Sequence, residues 1–299
     1  MSRDVSTFMP DALRPETSIP TRDSIRTRDP IPSRDPIPSR DREGAVIPEH
    51  PTDLDITLIL PAYNEARTIQ ATMREAISYF EQRGMHWELI VAADGTDGTR
   101  EAARAVDAGA GKIHVIGHED RCGKGRGIRE AVALASGAAI GFADADNKVP
   151  ISEFDGVRAA LESGAHIVIG SRRLRNSQIE RGQPWYRKAG GKAFRAVMRT
   201  VAGLPAITDS QCGFKFFRRE AAKELFRRQR IDGYMFDVEI LMLAARLGYT
   251  VREVPVRWRD DGDSRLDLIA GNLRNARDIL RIRYLHRHVH ANRPAPTVR

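Results

Sequence analysis

Two aspartates one residue apart, Asp144 and Asp146, close the apolar run AAIGFA and stand just ahead of the turn residues Asn147 and Pro150. Carboxylates this close repel one another unless a cation lies between them or water screens them. A hard divalent ion, Mg²⁺ or Mn²⁺, needs only one or two protein carboxylates when phosphates and water complete its shell. The pair therefore reads either as a metal site serving a diphosphate or as a solvated loop with two exposed acids. Because alternate residues of an extended segment face opposite ways, a shared ion requires the strand to be bending already.

Other polar clusters follow apolar runs in the same way. After ITLIL comes PAYNEA, where Tyr63 can lie against a base or ribose while Asn64 and Glu65 offer polar edges; a helix cap is the plainer account. After ELIVA comes ADGTDGT, whose Asp94 and Asp97 can bond nucleoside hydroxyls or cap a helix near Thr99. The loop RCGKGRG, Arg121 to Gly127, resembles a phosphate cradle but is no Walker A, since Gly125 stands where Ser or Thr must hold Mg²⁺. Lys124 can offset diphosphate charge at a helix N-terminus, or the glycines simply permit a turn. GSRR at Gly170–Arg173 aims Arg172 or Arg173 at a second anion, or at a surface carboxylate. HRHVH at His286–His290 reads as a solvated tail rather than a metal site, since no fixed scaffold stands behind it.

These clusters need a scaffold that gathers strand ends. From Ile56 onward apolar runs alternate with helix-period stretches: strands at Ile56–Leu60, Trp87–Ala92, Ile113–Ile116, Ala138–Ala143 and His166–Ile169, with helices between them. That alternation predicts an α/β fold, a Rossmann-like doubly wound, mostly parallel sheet with helices on both faces. Ligands of such sheets bind at the carboxyl ends of the strands, where PAYNE, ADGTDG, DAD and GSRR all fall. The second half predicts a helix at Tyr186–Val201, a loop and strand DSQCGFKFF, helices near Glu220–Phe226 and Phe236–Leu247, a strand Thr250–Val256 and a basic C-terminal helix. No Gly/Pro/Ser linker divides it from the first half.

Domain limits follow: a Pro/Arg/Asp-rich disordered arm over 1–54, a catalytic domain over 55–262, and a basic amphipathic helix and tail over 263–299. The arm carries the degenerate six-residue repeat IPTRDSIRTRDPIPSRDPIPSRD, with almost nothing to bury. The 299 residues carry 48 Lys+Arg against 40 Asp+Glu, a formal charge of +8 that favours anionic partners without choosing among them. No recognition motif for nucleic acid accompanies that charge. Cys122 and Cys212 have neither disulfide-framework nor zinc spacing, which suits a reducing, cytoplasmic compartment. The first residues lack a signal-peptide core and no apolar run reaches the ~18–20 residues of a membrane span, so membrane contact is expected to be peripheral, at the inner face.

In order along the chain, LPAYNEA, a DGT-type loop, GKG, DAD, GSR, DSQCGFKFF, FDVEIL and VPVRW with GDSRL make the sequence similar to family 2 glycosyltransferases of GT-A fold, on the dolichyl- or polyprenyl-phosphate glucosyltransferase side. The resemblance covers roughly Asp55 to Arg287, and DSQCGFKFF followed by FDVEIL is its most distinctive part. It implies that Pro61, Tyr63, Asn64 and Glu65 line the nucleoside with Asp94 and Asp97 beside it, and that Asp144 and Asp146 serve the divalent ion and the nucleotide-sugar diphosphate. It places Lys124, Ser171 and Arg172 on the phosphate and acceptor side, and Asp209, Gln211 and Lys215 by the transferred sugar, with Asp237 and Glu239 contributing from FDVE. Relatives carry an Asp-Asp-Gly-Ser turn with one further residue before the next Asp, whereas Ala93-Asp94-Gly95-Thr96 runs directly into Asp97 here, which leaves the nucleobase open.

The chemistry so implied is metal-dependent inverting transfer of a hexose, glucose from UDP-glucose, to a polyprenyl or dolichyl phosphate. A phosphate monoester is largely dianionic at neutral pH and needs no strong base. An alcohol acceptor would need one, and Asp209 is then the candidate. A soluble acceptor, or a non-catalytic nucleotide-sugar-binding protein, remains open at this point. Leu266, Ile269, Leu273, Ala276 and Leu280 recur at helical spacing with Arg274, Arg277, Arg281 and Arg287 around them, which suits either an interfacial helix on anionic lipid or packing on the catalytic domain.

Overall fold

The computed structural model describes residues 54–109, 111–179, 203–204, 206–259 and 270–289. The expected N-terminal arm up to residue 53, the expected helix Tyr186–Val201, the GDSRL stretch, and Leu266 and Ile269 lie outside the described residues.

The alternation read from the sequence is present as strands β1 (Ile56–Tyr63), β2 (Trp87–Asp94), β3 (Lys112–Ile116), β4 (Ala139–Ala143) and β5 (Ile167–Ser171), separated by helices α1 (Ile69–Gln82), α2 (Thr99–Arg104), α3 (Lys124–Leu134) and α4 (Phe154–Glu162). A short strand β6 (Gln178–Ile179) follows. Then come β7 (Phe214–Arg218), α5 (Arg219–Arg228), α6 (Phe236–Leu247), β8 (Val251–Pro255), β9 (Arg257–Trp258) and α7 (Ala270–Leu285). β1 and β2 are buried along nearly their whole length, which is why they read as continuous apolar runs.

The seven-stranded sheet has the order β3-β2-β1-β4-β7-β5-β8. Every pairing is parallel except those of β7, which runs antiparallel to both β4 and β5. Side chains alternate across it into two cores. Ile59, Ile90, Ile140 and Phe217 pack with α3, α5, α6 and α7, whereas Leu58, Leu89, Val168 and Phe216 pack with α1 and α4. The reversed β7 is what the site depends on: the loop entering it, Thr208–Gly213, reaches the edge where β1, β2, β4 and β5 end.

Candidate active site

The opening pair sits at that edge. Asp144 follows β4 and its amide bonds the carbonyl of Gly213 at 3.0 Å, so the loop before β7 is stitched to the end of β4. Gly213 is there because nothing larger fits: a Cβ on it would lie 1.9 Å from Asp144 Oδ2. Asn147 takes φ 53°, and its amide closes a turn on the Asp144 carbonyl at 3.1 Å, which is the bend the sequence called for.

Each aspartate has a lysine. Lys124 Nζ lies 2.5 Å from Asp144 Oδ1, and Lys148 Nζ lies 3.3 Å from Asp146 Oδ2. Burial works against the charge on Lys124, but Asp144 and Asp237 outweigh it and hold the ammonium above its ordinary range. Burial, and then the charge of Asp144, push the Asp146 carboxyl up against the pull of Lys148. The pair therefore carries the mutual burden that a dication relieves. Among the described residues no three His, Cys, Asp or Glu side chains converge, so a metal held here would take at most two carboxylates and leave its remaining positions to phosphate and water. The donor set fits Mg²⁺ or Mn²⁺ on those terms.

Two further ion pairs adjoin. Arg172, just past β5, binds Asp209 with both arms of its guanidinium, Nε to Oδ2 at 2.7 Å and Nη2 to Oδ1 at 2.8 Å, and adds its backbone amide at 3.1 Å. Burial raises the Asp209 carboxyl, but these bonds and the guanidinium charge hold it below its usual range. Both oxygens are thus occupied by a cation, and Asp209 is a counter-ion rather than the free base an alcohol acceptor would require. Lys215 points from β7 to the α6 side of the sheet, where its Nζ lies 2.6 Å from Asp237 Oδ1 and donates to the Cys212 carbonyl at 2.5 Å. Lys215 and Asp237 are 1% and 7% exposed. Burial pushes the Asp237 carboxyl up while Lys215 and Lys124 pull it down. Gln211 presents a buried side-chain nitrogen with no hydrogen-bond partner among the described residues, a donor left for a ligand.

The nucleoside side differs from expectation. Asp94 does not face an open pocket: Oδ1 accepts the His118 amide at 3.2 Å, and Oδ2 those of Cys122 at 2.8 Å and Gly123 at 3.3 Å. It clamps the loop after β3 against β2. Asp97 is a cap, accepting the Thr99 amide at 3.1 Å and hydroxyl at 2.5 Å and the Ala66 amide at 3.1 Å. Burial opposes its ionisation, but those bonds hold it below its usual range. Tyr63 is at the rim, with the Arg121 guanidinium 4.4 Å over its ring, and Arg121 also donates to the Tyr234 hydroxyl at 3.1 Å. Pro61 is a half-buried residue within β1. Asn64 holds φ 57° beside Gly95, and the Glu65 amide bonds the Thr99 hydroxyl at 2.9 Å.

Two residues fall elsewhere. Ser171 is fully buried, with its hydroxyl 3.0 Å from that of Thr208. Glu239 stands two positions from Asp237, about 200° around the helix. It binds the amides of Arg230 and Ile231 at 2.9 and 2.8 Å and His286 Nε2 at 2.6 Å. It is a tether for the chain behind the site, and His286, expected in a solvated tail, is buried against it.

Sequence reasoning missed Glu253, whose carboxylate accepts the amides of Thr208 and Asp209, both at 3.0 Å, and the Thr208 hydroxyl at 2.8 Å, fixing the loop that carries Asp209. A lone acid inside the strand VREVP was the available signal. Trp258 was also missed, with Arg172 5.5 Å from its ring.

Comparison with known proteins yields a match of residues 57–226 to the family model described as "Glycosyl transferase family 2". The chain is 33% identical over 243 residues to the dolichyl-phosphate beta-glucosyltransferase ALG5C of Trichomonas vaginalis, covering 78% of this chain and 72% of that one. It is 32% identical over 253 residues to the dolichyl-phosphate beta-glucosyltransferase of Drosophila melanogaster, covering 79% and 77%. Among solved structures, the glucosyl-3-phosphoglycerate synthase of Mycobacterium tuberculosis, in complex with Mn²⁺, UDP-glucose and phosphoglyceric acid, superposes with a TM-score of 0.56 at 23% identity, covering 76% of this chain and 78% of that one. That likeness establishes the same α/β sheet architecture.

Proposed function

Because the chain belongs to glycosyltransferase family 2, we propose that it transfers glucose from UDP-glucose, with inversion, to the phosphate of a polyprenyl or dolichyl acceptor. The catalytic unit of this reading is residues 55–262. One observation carries the choice of acceptor: the half-exposed Asp144 and the buried Asp209 and Asp237 around the acceptor side are each already held by a cation. None is a free base, so the nucleophile must arrive ionised. A phosphate monoester does so at neutral pH, its second pKa being near ~6, whereas an alcohol does not.

On this reading Asp144 and Asp146 hold Mg²⁺ or Mn²⁺, which supplies charge relief to the departing diphosphate. Lys124, at the start of α3, adds a second fixed positive charge on the same side. Arg172, kept rigid by Asp209 and by Trp258, faces the acceptor phosphate, and Gln211 donates to the sugar or to that phosphate. Lys215 and Lys124 lie 5.5 and 5.9 Å from the Phe142 ring, and Lys215 with Asp237 positions Lys124 and the end of β4. Tyr63, with Arg121 above it, flanks the nucleoside; Asn64, Glu65, Asp94 and Asp97 hold the loops that shape that end. With the nucleophile already ionised, positioning and electrostatics account for most of the acceleration.

The test offers labelled UDP-glucose or GDP-mannose, each with Mn²⁺, to the purified protein with a short polyprenyl phosphate or the matching polyprenol. Labelled lipid is expected from UDP-glucose and the phosphate alone, and Asp146→Ala is expected to abolish it. Product from the polyprenol, or from GDP-mannose alone, would overturn the acceptor or the donor assignment respectively.

A further inference from the structure

The C-terminal helix turns Leu280, a member of the apolar stripe read from its sequence, toward solvent. Ile279, Ile282 and His286 face inward and are buried, while Leu280 and Tyr284 are 64% and 66% exposed. The outward residues Arg277, Leu280, Arg281, Tyr284 and Arg287 follow one another at intervals of three, one, three and three, which lays them along one helix face. Large apolar groups thus alternate with arginines on a surface open to solvent. The Arg287 guanidinium stacks 4.2 Å from the Tyr284 ring, and no carboxylate among the described residues pairs with Arg277 or Arg281.

A second copy of the chain is a poor occupant, because apposed faces would bring like charges together. Nucleic acid would satisfy the arginines but leave Leu280 without an apolar environment. An anionic bilayer satisfies both, charge at the headgroups and apolar side chains at the acyl boundary. We propose that the outer face of α7 docks the protein on an anionic lipid surface, with Leu280 and Tyr284 at the acyl boundary and Arg277, Arg281 and Arg287 among the headgroups. The proposal rests on the reading of a lipid-borne acceptor, to which it adds the surface that meets the membrane.

The inner face gives docking a consequence. His286 Nε2 bonds Glu239 of α6 at 2.6 Å, and Arg246 at the far end of α6 donates to the His286 carbonyl. The docking helix is therefore fastened at two points to the helix that carries Asp237. A bilayer that orients α7 orients the pocket with it.

The test is co-sedimentation of the full chain with phosphatidylcholine vesicles with and without phosphatidylglycerol. Binding is expected only to the anionic vesicles, to weaken with salt, and to be lost in Leu280→Glu/Tyr284→Glu. Arg277→Gln/Arg281→Gln is expected to weaken it about 25-fold, from roughly fivefold per arginine at the surface. Glucose transfer to a water-soluble short-chain phosphate should be unchanged in both double variants, which also shows that they fold. Equal vesicle binding by wild type and the leucine–tyrosine variant, or equal binding to neutral vesicles, would overturn the proposal. Vesicle binding by a wild type that fails to glucosylate the short acceptor would leave the docking surface standing and overturn the acceptor reading instead.

Discussion

Lys215 and Asp237 offer the sharpest test of the electrostatic framework, because they separate stability from function. The ammonium and the carboxylate are 2.6 Å apart and almost wholly buried, and Lys215 keeps only the Cys212 carbonyl if Asp237 is lost. Removing one partner of such a pair leaves an uncompensated buried charge and costs about 3–5 kcal/mol, whereas replacing both with apolar groups of similar volume is close to neutral. For a domain of this size each kcal/mol lowers Tm by roughly 2–4 °C. Asp237→Leu and Lys215→Met alone should therefore each lower Tm by about 6–20 °C. The double variant Lys215→Met/Asp237→Leu should regain most of that loss. Its glucose transfer should stay impaired by at least about tenfold, since Lys124 loses the Asp237 charge that helps hold it and a preorganised donor of this kind is worth a few kcal/mol. Thermal melts and initial rates on the same preparations decide the matter. A double variant that restores turnover along with stability would refute the assignment of a positioning role and leave the pair as packing.

Gly213→Ala should force the Asp144 carboxylate off Lys124, because the new methyl would lie 1.9 Å from Oδ2; a fall of roughly 100-fold in kcat/KM with about 1–3 kcal/mol lost in urea unfolding is expected. Arg121→Ala should raise the KM for UDP-glucose by about 5- to 30-fold with little change in kcat, since the guanidinium over Tyr63 lies at the nucleoside rim, away from the bond that breaks. Iodoacetamide applied to the native protein near pH 8 should modify Cys122 and spare Cys212, whose thiol is buried and pushed up to about 12, first by burial and then by Asp209; both should react after denaturation, as mass spectrometry of the intact chain will show.

The strands and the edge where they end were legible because buried parallel strands write themselves as apolar runs, and each run here ends in a polar cluster. The reversal of β7 was not, since FKFF reads as a strand in either direction and only the long-range pairing with β4 and β5 decides. That single topological fact brings Asp209, Gln211 and Gly213 to Arg172 and Asp144. The loop clamp made by Asp94 was not legible because its partners are backbone amides of residues 118–123, which any side chain can accompany. The stripe through Leu273, Ala276 and Leu280 suits either a lipid-facing or an inward face, and Ile279 and Ile282 define a second stripe of equal period. Packing against α6 chose that one.

The three ion pairs also explain why the aspartates at the end of β4 matter beyond their spacing. Lys124, Arg172 and Lys215 are matched one to one by Asp144, Asp209 and Asp237, so this part of the pocket is close to neutral before any ligand arrives. A nucleotide diphosphate and an acceptor phosphate together would bring several negative charges into this space. Of the described cations, Lys124, Lys148, Arg172 and Lys215 are each paired with an aspartate, and Arg121 at the nucleoside rim contacts only the Tyr63 ring and the Tyr234 hydroxyl. Asp146 is matched by Lys148 at 3.3 Å, so it too leaves no spare positive charge for a ligand. On the proposed reading, a dication at the bend that carries Asp144 and Asp146 would supply the positive charge that a nucleotide diphosphate and an acceptor phosphate together require.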